Sequence, residues 1–138
     1  MNLLNVDHII MMHEKGINDY GGMCGLRDDS IAKVESIIAQ QHPVFDVDRY
    51  PDLFTKAAML LYFFAKDHCF PDGNKRVAIF AAVVLLEVNG YETTFDDEEG
   101  YEMTMEVSYS NIDELHRVSY IEYLAEWLRE RSKKNRVV

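Results

Sequence analysis

The chain has 138 residues, of which 48% are hydrophobic and 12% aromatic, and this composition predicts one folded domain rather than a disordered segment. The net charge of −10 disfavours both a sequence-independent DNA-binding protein and a protein that binds anionic membranes, because both surfaces attract Lys and Arg. The two cysteines lack metal-site spacing, and we see neither a signal peptide nor an apolar run long enough to span a bilayer. We therefore expect a cytoplasmic protein with reduced thiols.

Apolar residues recur with helical spacing along most of the chain. We expect a first helix that follows Asn5 as its N-cap and ends at Gly16. A second helix is expected to begin after Asp28 or Asp29 and to end before Pro43. The next segment, residues 44–50, alternates weakly and predicts a short extended or hairpin segment.

Two further helices, at about 52–66 and 74–88, are apolar on nearly every side, so we expect them to form the centre of the protein. A helix near 95–108 and an ambiguous piece at 110–117 follow. The last helix is predicted from about Tyr120, because Ser119 and Glu122 have the spacing of a capping box. The fold class is therefore an all-α single-domain bundle over residues 1–132, with a basic frayed tail at 133–138.

The segment between the two apolar helices, residues 67–76, is dense in polar functional groups. Gly73 and Asn74 would open the second apolar helix, whose first N–H groups lack intrahelical acceptors and attract anions. Lys75 and Arg76 are unfavourable beside the positive end of a helix dipole unless an anion lies between them. The pattern predicts a phosphate site.

Three neighbouring side chains add chemistry to this site. Asp72 can hold Mg²⁺ through one carboxylate, and His68 can take up a proton near neutral pH. Phe70 is expected to turn inward and to anchor the loop to the core. Together these residues predict phosphoryl or nucleotidyl transfer. An ordinary histidine followed by an ordinary Asp-Gly-Asn turn remains the alternative.

The string His68-Cys-Phe-Pro-Asp-Gly-Asn-Lys-Arg76 resembles the signature of the Fic/Doc superfamily, H-x-F-x-[DE]-[AG]-N-[GK]-R, at every specified position. We refer to residues 68–76 as the motif. The segments Gly25-Leu-Arg-Asp28, Tyr50-Pro51, Lys56-Ala-Ala58 and Asn89-Gly90 are similar to the death-on-curing (Doc) branch of that superfamily.

The resemblance implies a Fic/Doc-type helical bundle that uses ATP or another nucleoside triphosphate, with Mg²⁺, to modify a Ser, Thr or Tyr hydroxyl of a target protein. It implies that His68 is the base, that Asp72 is the magnesium ligand, and that Arg76 neutralises phosphate charge. Gly73, Asn74 and Lys75 would line the anion site. The family's target-docking flap would correspond to Val44, Phe45, Asp46, Val47 and Asp48.

The branch of the superfamily affects the expected reaction. AMP-transferring Fic enzymes usually have Gly at the position of Lys75 and a second Arg at the position of Ile79. The resemblance to Doc therefore implies a kinase-like toxin, with a translation factor as the type of target and growth arrest as the outcome. Protein adenylyltransfer is the first alternative, and a non-catalytic interaction protein on the same scaffold is the second.

Fic proteins often carry an inhibitory helix with an [ST]-x-x-x-E-[GN] pattern, which Thr94 and Glu98 match only in part, because Glu99 follows. We therefore expect a separate antitoxin chain. Cys69 as a nucleophile is disfavoured, because residues adjacent in sequence usually point apart. From Val77 to His116 the chain has ten acidic residues and no Lys or Arg, which indicates either a solvated helix face or a docking surface for a basic partner.

Overall fold

The computed structural model describes residues 1–135, which form six α-helices, one 3-10 helix and a two-stranded antiparallel sheet. The helices are α1 (Val6–Tyr20), α2 (Ser30–Ala39), α3 (Leu53–Lys66), α4 (Asn74–Glu87), α5 (Asp97–Tyr109) and α6 (Arg117–Glu130), with the 3-10 helix at Glu114–His116 and strands β1 (Tyr91–Thr93) and β2 (Ser132–Lys134). The predicted helical fold is confirmed. Within this part of the chain, no helix is both long and apolar enough to cross a membrane.

Helix α3 lies at the centre of the bundle and packs against α2, α4, α5 and α6. Every residue from position 55 to 65 is buried, and burial of a large apolar side chain contributes about 1.5–3 kcal/mol. Asp52 caps the helix, since its side chain accepts from the Thr55 N–H at 2.9 Å while Thr55 Oγ1 accepts from the Asp52 N–H at 3.2 Å. Capping of this kind contributes about 1 kcal/mol.

Helix α4 is the second member of the predicted central pair, but only one side of it is buried. Ala78, Ala81 and Ala82 face α3, and their small side chains allow the two helices to approach closely. Phe80 is 43% exposed on the other side. The exposed side is apolar because it lines a cavity, described below.

Two predicted helix boundaries are wrong. Helix α1 continues through Gly16 to Tyr20, because a glycine inside a helix costs only about 1 kcal/mol; the positive φ of Gly21, +83°, ends it instead. Helix α6 begins at Arg117 rather than near Tyr120, since the preceding 3-10 turn leads directly into it.

The C-terminal residues of the described chain form a strand. Lys133 and Lys134 were predicted to belong to a frayed tail, but they lie in β2 and pair with β1, and the Asn135 N–H donates to the Gly90 carbonyl at 2.8 Å. Strands of three residues are too short to show alternation in the sequence. Residues 136–138 of the predicted tail lie outside the described residues.

Helix capping and local ion pairs account for the acidic residues around the start of α5. Asp96 caps α5 by accepting from the Glu99 N–H at 2.8 Å, and the first turn of α5 is acidic, which suits the positive end of the helix dipole. Basic residues near the C-terminus approach it: Arg131 bonds Glu99 at 3.1 Å, and Lys133 lies 3.8 Å from Glu92.

Candidate active site

The motif lies where α3 and α4 meet, and its loop is held to the core by Phe70. This side chain is 1% exposed, and its ring stacks on His13 of α1 with centroids 4.0 Å apart and an interplanar angle of 7°. The buried His13 ring also contacts the motif backbone, because its Nε2 lies 2.8 Å from the Asp72 carbonyl oxygen. The loop is therefore attached to α1 at two points.

Asn74 closes the loop from the other end. Its side-chain oxygen accepts from the Phe70 N–H at 2.9 Å, and its amide nitrogen donates to the Phe70 carbonyl at 2.8 Å. Both functional groups of the side chain are thus used within the protein. Its backbone N–H, in the first turn of α4, is the group it can offer to an anion.

His68 is exposed, and its imidazole has no hydrogen-bond partner within residues 1–135. Its φ of +49° lies in the left-handed region, which costs a non-glycine residue about 1–2 kcal/mol. The carbonyls that follow this bend are bound by Arg27, whose guanidinium donates to the His68 carbonyl and, at 3.1 Å, to the Phe70 carbonyl. The neighbouring Cys69 is fully buried, and burial raises the pKa of its thiol to about 12, so it is not a nucleophile.

Asp72 accepts two backbone hydrogen bonds, from the Met23 N–H at 2.9 Å and from the Gly73 N–H at 2.8 Å. These bonds hold the pKa of the Asp72 carboxyl below its usual value, so the group is ionised at neutral pH. A carboxylate has about four lone-pair positions, and the two bonds leave the others open. Asp72 therefore fits the role of a magnesium ligand, alongside phosphate and water oxygens.

The N-terminus of α4 has the features of an anion site. Its N-cap, Gly73, has a φ of +80° and no side chain with which to cap the helix, so the first N–H groups stay available. Lys75 is exposed and forms no ion pair within the described residues. Arg76 is held by α1: it donates to the Gly16 carbonyl at 3.0 Å, and its guanidinium lies 5.1 Å from the centre of the Tyr20 ring.

One cavity of about 870 Å³ brings these residues together. The predicted base, the predicted metal ligand and the predicted phosphate-binding residues all line it, namely His68, Asp72, Gly73, Asn74, Lys75 and Arg76. Its other walls come from α1, α4, α5 and the segment before α5, and they include the aromatic side chains Phe80, Phe95 and Tyr101. The cavity therefore joins a polar, cationic end to an apolar end.

The segment predicted to be the flap, residues 44–48, does not line this cavity. Val44 and Val47 form a two-residue hairpin with backbone bonds of 2.9 and 3.0 Å. Asp48 at its base accepts from the buried Lys56 ammonium in the first turn of α3, at 2.9 Å. Lys56 is ten residues from Lys66, the end of α3 that the motif follows, so this anchor lies about 15 Å along the helix from that end.

The positions of residues 44–48 therefore do not support a docking flap next to the motif. Among the described residues that line the cavity, none comes from this segment. The segment that contacts the motif is instead the loop of residues 21–29, through Met23 and Arg27. Composition could not reveal this arrangement, because it depends on how α1 packs against α4 and how α2 packs against α3.

Three residues of the site were not predicted. His13 fits the apolar stripe of the first helix, and only its buried position beside Phe70 distinguishes it. Met23 contributes a backbone N–H, which no sequence pattern could show. Arg27 falls in the Gly-Leu-Arg-Asp segment that carries part of the resemblance, and this was the only signal for it.

The fold and the site define a helical domain with an exposed histidine, a carboxylate and a helix N-terminus in one cavity. The chain belongs to the Fic/DOC family, whose model matches residues 3–86. Protein kinase doc of Escherichia phage P1 is 32% identical over 124 residues, which cover 86% of this chain and 96% of the relative. Toxin Doc of Mycolicibacterium smegmatis is 34% identical over 114 residues, which cover 81% and 80%.

Proposed function

We propose that this protein is a Doc-like toxin that transfers a phosphate from a nucleoside triphosphate to a hydroxyl of a target protein and thereby arrests growth. The observation that carries the proposal is the single cavity lined by all six motif residues with polar roles. A relative that this chain matches over most of its length bears the name protein kinase, and another bears the name toxin.

The roles of the residues follow from their surroundings. His68 is exposed at the cavity and takes the proton of the attacking hydroxyl. The first N–H groups of α4, with Lys75 and Arg76, bind the phosphate oxygens. Asp72 is ionised and would hold Mg²⁺, which neutralises charge on the triphosphate.

Phosphate transfer is favoured over AMP transfer by Lys75, which lines the cavity at a position where AMP-transferring relatives usually have glycine. A second cation beside Arg76 suits the negative charge of a terminal phosphate group. We further propose a translation factor as the target, the cytoplasm as the compartment and a separate antitoxin chain as the inhibitor. These choices rest on the family alone.

The test uses induced expression and labelled nucleotide. Wild type should stop growth and transfer label from γ-labelled ATP to a protein in a cell lysate. His68→Asn should abolish both effects without loss of fold, because asparagine tolerates the left-handed backbone at this position. His42→Ala, which removes an exposed histidine far from the cavity, is the matched control and should behave like wild type.

The outcomes separate the alternatives. Transfer from α-labelled ATP with release of pyrophosphate would replace the kinase by an adenylyltransferase. If His68→Asn arrested growth as strongly as wild type and no label were transferred from either nucleotide, the protein would be a non-catalytic interaction protein. Two results test the assignment of Asp72 as the metal ligand: phosphate transfer should depend on added Mg²⁺, and it should be lost in Asp72→Asn.

A further inference from the structure

Arg27 uses its whole guanidinium group inside the protein. Its two terminal nitrogens donate to the carbonyls of His68 and Phe70, and its Nε donates to the Asp29 carboxylate at 3.3 Å. Arg27 is not among the described residues that line the cavity. The group is therefore directed at the backbone of the motif and not at a ligand.

The two carbonyls directly follow a strained bend at His68 and lie on either side of Cys69. His68 has a φ of +49°, a conformation that histidine rarely adopts without support from its surroundings. A planar guanidinium can bind two acceptors at a fixed separation, whereas an ammonium offers a single point of charge. Arg27 thus has the geometry to hold the bend that sets the direction of the His68 side chain.

A second cation shows how specific this contact is. Lys33 of α2 donates to the carbonyl of Asp67, one residue before the bend, at 3.2 Å. Both cations lie near the C-terminal end of α3, where they balance the helix dipole. Only Arg27 contacts carbonyls on both sides of Cys69, within the motif itself.

We infer that Arg27 is a positioning residue for catalysis: it fixes the left-handed backbone of His68 and so orients the imidazole in the cavity. This inference rests on the proposed phosphotransfer, for which His68 is the base. The claim about the backbone can also be measured when no transfer occurs. Arg27 itself takes no part in proton transfer, since arginine stays protonated in proteins.

The test compares Arg27→Met, Arg27→Lys and the control Lys33→Met in the full chain. Arg27→Met should lower kcat about 10- to 100-fold, as expected for misplacement of a reacting group. The KM for ATP should stay within about twofold, because the phosphate site at α4 is untouched. The kcat of Arg27→Lys should fall between those of wild type and Arg27→Met, because lysine restores the charge but not the two-point contact. The kcat of Lys33→Met should match that of wild type.

Amide hydrogen exchange supplies the readout that does not depend on activity. The Phe70 N–H is bonded to Asn74 and should exchange about tenfold faster in Arg27→Met, and not in Lys33→Met. An unchanged Phe70 exchange rate, or an unchanged kcat, would overturn the inference. If the wild type transfers no phosphate, the proposed function fails, and the exchange experiment still decides whether Arg27 holds the bend.

Discussion

Asn74 binds both backbone groups of Phe70, accepting from its N–H at 2.9 Å and donating to its carbonyl at 2.8 Å. A carboxamide provides both an acceptor and donors on one side chain, which aspartate and alanine do not. The first residue of α4 thereby determines the shape of the loop that precedes it.

Replacing Asn74 by alanine should therefore lower the free energy of unfolding by about 1–3 kcal/mol, because the Phe70 N–H loses its partner and the Phe70 carbonyl keeps only Arg27. Urea unfolding at pH 7 measures this change. Asn111→Ala, at an exposed asparagine without a side-chain hydrogen bond in the described chain, is the control and should change stability by less than about 0.5 kcal/mol. Equal losses in the two variants would contradict the role of Asn74.

His13 should be a sensitive position on α1. It is 2% exposed, stacks on Phe70 and binds the Asp72 carbonyl, so His13→Ala should lower the free energy of unfolding by about 2–4 kcal/mol and reduce phosphate transfer. Met11→Ala on the same helix, at a side chain that is 64% exposed, should be nearly neutral. Thermal or urea unfolding of both variants tests the difference.

Two glycines of the loop at 21–29 form a matched pair. Both have a positive φ, +120° at Gly22 and +99° at Gly25. A Cβ at Gly22 would lie 2.7 Å from Oδ2 of Asp72, whereas a Cβ at Gly25 would meet nothing within 4 Å. Gly22→Ala should therefore displace Asp72, and Gly25→Ala should report the backbone strain alone.

The measurement is the pKa of the Asp72 carboxyl by NMR titration. In wild type it lies below its usual value because of the N–H bonds from Met23 and Gly73. We expect it to rise toward the usual value in Gly22→Ala, with a loss of phosphate transfer, and to stay low in Gly25→Ala. If the Asp72 pKa stayed low in both variants, the close approach of Gly22 to the Asp72 carboxylate would not be needed to keep that pKa low.

The ion pair of Asp48 and Lys56 predicts a pH dependence of stability. The hydrogen bond from Lys56 holds the pKa of the Asp48 carboxyl below its usual value, so the pair stabilises the folded state above about pH 4. This stabilisation is lost as the pH falls through the lowered pKa of the folded state, because protonation leaves the buried ammonium without a counter-charge.

Asp48→Asn should thus be less stable than wild type at pH 7, and the difference should shrink below about pH 4. Urea unfolding at pH 7 and at pH 3 gives both values. The control is Asp46→Asn, since Asp46 lies in the same hairpin, forms no ion pair within the described residues, and has a positive φ that asparagine accepts. A difference that is independent of pH would argue against the ion pair.

The parts of the fold that the sequence predicts are those with long, regular patterns. Helices α3 and α4 were predicted within one or two residues, because apolar runs bounded by Asp52, Asn74 and the Asn89-Gly90 pair leave little choice. Their apolar character also placed the motif at a junction in the middle of the bundle. The end of α1 was missed because the spacing rules treat Gly16 as a stop, whereas the helix continues through it to Tyr20 and Arg76 donates to the Gly16 carbonyl.

The site was predicted as a list of residues but not as an arrangement. His68, Asp72 and the residues of α4 are close in sequence, so their proximity in the cavity follows from one loop. The contacts of His13, Met23 and Arg27 join segments 41 to 59 residues apart, and no local pattern encodes such distances. The docking role of residues 44–48 stays a prediction: the hairpin is anchored in the first turn of α3, and the motif follows the other end of that helix.

The hairpin at Val44–Val47 also has a practical consequence. Phe45 is 96% exposed and has a φ of +50°, a backbone region in which two-residue turns favour asparagine and glycine. Phe45→Asn should raise the free energy of unfolding by about 1 kcal/mol, measured by urea unfolding, and a decrease would show that the phenyl ring supports the fold. Because the turn is anchored at the far end of α3, it offers an attachment point for a fluorophore or spin label that reports on conformation while the chemistry in the cavity proceeds undisturbed.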